Sequence, residues 1–107
     1  MACKYRWLNQ ALDDLNGEIG YVFCEFGEKA ARKAESAIHE RVSQICSFPH
    51  LGLSYDGLQY KGNEVRILHV KHISLIYSLD DDMVTLIAIW NNRRDDRNIK
   101  AMIRSRQ

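Results

Sequence analysis

The hydrophobic pattern changes period along this chain, and the changes divide it into elements. Residues 3–8 alternate, with Cys3, Tyr5 and Trp7 on one side and Lys4 and Arg6 on the other, which predicts a short first strand. From Leu8 the apolar positions fall at Leu12, Leu15, Ile19, Val22 and Phe26, the stripe of an amphipathic helix that Phe23 widens. Asn9 can accept from the free amides of its first turn, Asp13 and Asp14 follow near its positive end, and Gly27 supplies the positive φ of a C-cap. Gly17 and Gly20 each cost about 1 kcal/mol relative to Ala inside a helix. That cost predicts a neighbour packed closely against the backbone.

Residues 28–47 are rich in Ala, Glu, Lys and Arg, with Ala31, Ala34, Ile38, Val42 and Ile45 as their apolar stripe. The two helices predict an αα-hairpin joined around Gly27. Phe48-Pro49 ends the second helix, because a residue before proline is pushed out of helical geometry. Residues 50–63 carry Gly52, Gly57 and Gly62 and read as a loop with some irregular extended structure. Residues 64–70 and 72–79 read as strands, and Asp80-Asp81-Asp82 as a turn into residues 83–96, MVTLIAIWNNRRDD. A run this dense in apolar and β-branched residues predicts a strand buried on both faces. It ends by delivering Arg93 and Arg94 to the surface. Beyond it, Ile99, Met102 and Ile103 have helical spacing, so residues 98–106 predict a short basic helix or a frayed tail. The order is βααβββ, an α+β fold with a helical hairpin packed on a small, mostly antiparallel sheet.

Composition narrows the picture without redirecting it. A chain of 107 residues, 46% hydrophobic and 27% charged, makes one domain with its own core. The net charge of +1 makes no global claim on nucleic acid or membrane, but residues 97–107 form a basic tail. Cys3, Cys24 and Cys46 are odd in number and lack CxxC spacing, which predicts reduced core thiols and no zinc site. No apolar stretch reaches signal-peptide or membrane-span length, so a cytoplasmic chain with no membrane partner is expected.

Candidate chemistry rests on cations. Lys61, Arg66, Arg93 and Arg94 would converge on one side of a small sheet, where fixed positive charge stabilises a phosphoryl transition state or grips a carboxylate-rich partner. His50, His69 and His72 titrate near neutral pH, and His69 or His72 would serve a nuclease if it projected toward Arg66. No cofactor and no metal is implied by these residues. Asp80-Asp81-Asp82 reads as a solvated turn, since consecutive hairpin residues point in different directions.

Four segments, in order, resemble the RelE/ParE superfamily of bacterial type II toxins. They are YRWLNQALDDLNGEIGYV with Ala11, Asp14 and Leu15; SFPHLG with Pro49 and Gly52; EVRIL with Arg66; and IAIWNNRRDD at the closing strand. The resemblance implies a toxin of a plasmid-stabilisation type module, neutralised by a cognate antitoxin. It implies one of two actions. ParE-like members bind and poison DNA gyrase, and here Trp90, Arg93, Arg94 and Asp95 would contact the partner. RelE-like members act on the ribosome as mRNA endonucleases (mRNA interferases), and here Arg66, Arg93, Arg94 and Lys61 would be catalytic. No Tyr or His follows Trp90 to move a proton, and the chain closes in Arg-Arg-Asp, which favours the ParE-like side.

Overall fold

The computed structural model describes residues 4–93 and 96–107, apart from the side chains of Asp56 and Asp96. Strand β1 (Lys4–Trp7) leads directly into helix α1 (Asn9–Phe26), and helix α2 (Glu28–Ser47) follows after Gly27 alone. Gly27 has φ 91°, a backbone conformation that L side chains rarely adopt, and it serves both helix ends at once. The α1 cap is Leu8 in extended geometry with no side-chain bond, so Asn9 already belongs to the helix and is not its N-cap.

Four strands then form a meander: β2 (Leu53–Tyr60), β3 (Asn63–Val70), β4 (Ile73–Asp80) and β5 (Met83–Asn91). The order across the sheet is β1-β5-β4-β3-β2, with β1 parallel to β5 and every other pair antiparallel. The α+β hairpin-on-sheet architecture is as expected, with one strand more than βααβββ. The expected loop at residues 50–63 contains β2. Two-residue turns join the strands, with positive φ at Lys61 (48°), Lys71 (58°) and Asp81 (53°). Such turns match the right-handed twist of the strands they connect.

Each sheet face is covered. On one, Leu15 of α1 and Ile38, Val42 and Ile45 of α2 pack on Val70, Leu75, Tyr77, Val84, Leu86 and Ile89. On the other, helix α3 (Ile99–Ser105), preceded by a single 3-10 turn, lays Ile99 and Ile103 on Val65, Ile67, Ile76, Ile87 and Trp90. The expected choice between basic helix and frayed tail therefore resolves to a docked helix. Strand β5 feeds both cores by alternation, and its pairing with β4 shifts by one residue on the way: Ile76 faces Ala88 while Tyr77 faces Leu86, leaving Ile87 as a bulge.

Three expectations about packing are corrected. The first two concern α1. A Cβ at Gly17 or Gly20 would meet nothing within 4 Å, so no neighbour packs against the backbone there. Its apolar stripe also outruns the sheet, leaving Leu12, Phe23 and Phe26 exposed, Phe26 by 70%. The third concerns the thiols: Cys24 is exposed on α1 and Cys46 half-buried on α2, while Cys3 lies outside the described residues. Among the described residues, no helix is long and apolar enough to cross a membrane.

Candidate functional site

Arginine is the residue type around which the candidate site was expected, and the fold sends its arginines to different duties. Arg66 sits in the middle of β3 on the hairpin side of the sheet, opposite Tyr77 of β4. Its Nη1 donates to the carbonyls of His50 (3.2 Å) and Gly52 (2.5 Å), and its guanidinium pairs with Glu64. The Tyr77 hydroxyl donates to the Pro49 carbonyl (2.8 Å) and accepts from the Gly52 N–H (2.9 Å). Burial pushes the Tyr77 hydroxyl above its ordinary pKa, outweighing the lowering by the Gly52 bond and the Arg66 charge. Glycine is needed here, because a Cβ on Gly52 would stand 2.7 Å from that hydroxyl and 3.0 Å from the Ile67 carbonyl oxygen. Pro49, Gly52 and Arg66 thus lock the α2–β2 connection to the sheet.

Lys61 lies elsewhere. It occupies the β2–β3 turn, at the sheet end where β5 begins, whereas Arg93 follows the other end of β5. An eight-residue strand such as β3 spans about 25 Å, so Lys61, Arg66 and Arg93 do not converge. The Lys61 ammonium instead lies 5.6 Å from the Tyr60 ring, and its amide donates to the Gln107 side chain (2.8 Å). Neither strand histidine joins Arg66. His69 is three residues from it on β3 and faces the α3 side, while exposed His72 occupies the β3–β4 turn. The His50 side chain is exposed, and only its carbonyl touches Arg66. Asp81 and Asp82 form the β4–β5 turn, and no group of three or more potential ligands is found among the described residues.

The end of β5 is different in kind. The Asn91 side-chain oxygen accepts the Arg93 N–H (2.9 Å), and the Asn92 N–H donates to the His72 carbonyl (2.8 Å). Together these bend the chain in an Asx turn and present Arg93 on the surface. Its Nη1 lies 3.5 Å from the Tyr21 hydroxyl. Arg94 and Asp95 lie outside the described residues. Trp90, expected at a partner surface, is buried in the core beneath α3 with 7% exposure. Beside Arg93 opens a cleft of about 310 Å³ between the hairpin and the β3–β4 turn. Val22, Ala34, Ile38 and Ile73 give it apolar walls, and Lys33, Lys71, His72 and Arg93 bring basic groups to it against one carboxylate, Glu18.

The residue that sequence reasoning missed is Arg106, counted there only as one charge of a basic tail. Its guanidinium forms a two-pronged bridge to Asp14 (2.7 and 3.2 Å) and donates to the Ile87 carbonyl (3.0 Å), while Asp14 accepts the Ile89 N–H (3.1 Å). The Ile87 carbonyl sits at the bulge and the Ile89 N–H two residues on, both beyond Leu86, where the pairing with β1 ends, so one ion pair satisfies a carbonyl and an amide of this stretch of β5. Asp14 was marked only by its place in the Ala11, Asp14, Leu15 pattern. The pattern now has a physical meaning: Ala11 and Leu15 are buried, and Asp14 reaches the backbone of β5 at Ile89.

Compared with known proteins, residues 5–96 match the family model described as ParE toxin of type II toxin-antitoxin system, parDE. The chain belongs to the ParE toxin family. Among solved structures, one of the chromosomal ParDE toxin–antitoxin system from P. aeruginosa is similar, at 18% identity and a TM-score of 0.69. That match covers 84% of this chain and 96% of the other, a likeness of fold. No curated protein matches at a significant level. The ParE-family assignment spans β1 to the end of β5 and includes both the lock around Gly52 and the Arg93 turn.

Proposed function

We propose that this ParE-family toxin is a growth inhibitor that acts by binding DNA gyrase and is neutralised by a cognate antitoxin. One observation carries the reading. The cations a nuclease would need together are apart, with Lys61 at the far end of the sheet and Arg66 consumed by the Gly52 lock. Of the candidate cations among the described residues, Arg93 is the one left on offer, held at a strand end and exposed to solvent. A surface arginine on a fixed mount suits the gripping of acidic groups on a protein partner. The adjoining cleft, apolar at its walls and basic at its edge, suits an acidic amphipathic segment of an antitoxin. A segment seated there would cover Arg93.

The test is a DNA supercoiling assay with purified gyrase and antitoxin-free folded toxin. Inhibition at or below micromolar toxin, reversed by antitoxin, is expected. Unimpaired supercoiling at micromolar excess would remove gyrase as the target. Primer extension on mRNA from induced cells separates the alternative, since ribosomal A-site cuts would make the toxin an mRNA endonuclease.

A further inference from the structure

The bend that presents Arg93 is held by side chains from two other strands. On the α3 face of the sheet, the Ser74 hydroxyl of β4 donates to the Asn92 side-chain oxygen (2.6 Å) and lies 2.7 Å from His69 Nδ1 of β3. Ser74 is 1% exposed, whereas His69 and Asn92 are exposed. The hydroxyl carries a single proton, and the bond to Asn92 uses it. With the hydroxyl proton on Asn92, His69 presents Nδ1–H to the Ser74 oxygen. The chain of donors runs one way, from His69 through Ser74 to Asn92. Asn92 is also the residue whose amide is pinned to the His72 carbonyl, and the next amide, that of Arg93, is taken by Asn91.

We infer that His69 and Ser74 are positioning residues for the Arg93 grip, acting through Asn92. The mechanism is one of ordering. Without the Ser74 bond the Asn92 side chain is free to rotate, and the bend loses a side-chain link to β4. Arg93 then samples several directions, and binding through it must repay the lost order. A neutral Nδ1–H ring suffices for the relay, and an Asn side chain at position 69 would place an N–H close to where Nδ1 stands.

This inference rests on the reading of Arg93 as the grip, and its experiment separates the two. Amide hydrogen exchange at Asn92 and Arg93 reads the relay independently of any target. Ser74→Ala and His69→Ala should speed exchange at these two amides while leaving β3 and β4 amides unchanged, and His69→Asn should restore it. In the supercoiling assay, Ser74→Ala should raise the half-inhibiting concentration by about tenfold, the equivalent of one lost hydrogen bond. It should add nothing in an Arg93→Ala background. Unchanged exchange in Ser74→Ala, or an equal loss of potency with Arg93 and without it, would overturn the relay. Altered exchange with no gyrase inhibition by the parent toxin would leave the relay standing and overturn the target.

Discussion

The α2–β2 connection and the segment after β5 are both short and built around an arginine, yet one is closed on itself and the other is open. At the first, Arg66 spends its donors on two carbonyls and Tyr77 bridges Pro49 to Gly52. At the second, the asparagines do the structural work, and among the described residues the Arg93 guanidinium has a weak partner in Tyr21. The difference teaches that an arginine's duty is set by what surrounds its backbone. Where side-chain amides satisfy the turn, the guanidinium is left exposed to solvent.

Substitutions should break that contrast in a graded way. Arg106 belongs with Arg66 among the inward arginines, and its loss is expected to cost most, because Asp14 and the Ile87 carbonyl would be stranded largely out of water. Arg106→Ala should lower stability to urea unfolding by about 3 kcal/mol. Gly52→Ala should follow at about 2 kcal/mol, since the added Cβ collides with the Tyr77 ring and the Ile67 carbonyl. A normal unfolding midpoint in that variant would mean the lock is loose.

Tyr77→Phe should cost about 1–2 kcal/mol by stranding the Gly52 amide and the Pro49 carbonyl. It also carries a pH signature. The Tyr77 pKa is raised in the folded state above its ordinary value of 10.0, so its contribution is complete below pH 10. The contribution falls away as pH rises from there through the folded value, because the unfolded chain gives up the proton first. Alkaline unfolding in Tyr77→Phe should therefore lose this component. The smallest effect on stability is expected at Arg93, where Ala should change it by no more than about 0.5 kcal/mol, while the potency of the toxin drops at least severalfold. A large stability loss there would erase the contrast between the two regions.

The helical hairpin was legible because its apolar stripes keep a clean helical period, and the three later strands because their runs are dense in apolar and β-branched residues. Strand β2 was not. Leu53 and Tyr55 share one parity and Leu58 and Tyr60 the other, because the register shifts between Ser54 and Gln59, near Gly57 with its φ of 75°. A break of phase at a glycine reads as a loop. The Lys71 turn carries its positive φ on a lysine, so it offered none of the usual turn residues. At the candidate site, residue type pointed to Arg66 and Arg93 alike. Their separation depended on a carbonyl cluster at His50 and Gly52 that only the folded chain assembles. Arg106 and Asp14 meet across 92 positions of sequence, a distance at which local pattern carries no information.

The bulge at Ile87 has a consequence for everything that follows it. Before it, the even-numbered residues Val84 and Leu86 point to the helical hairpin; after it, odd-numbered Ile89 does, and Trp90 points to α3. One surplus residue thus inverts the parity of the strand. Had β5 kept its ladder unbroken, Trp90 would be driven into the hairpin and Ile89 toward α3, and the asparagine turn would emerge mirrored about the sheet. The side from which this toxin reaches outward is counted off by a single amino acid, with Asp14 and Arg106 keeping the count.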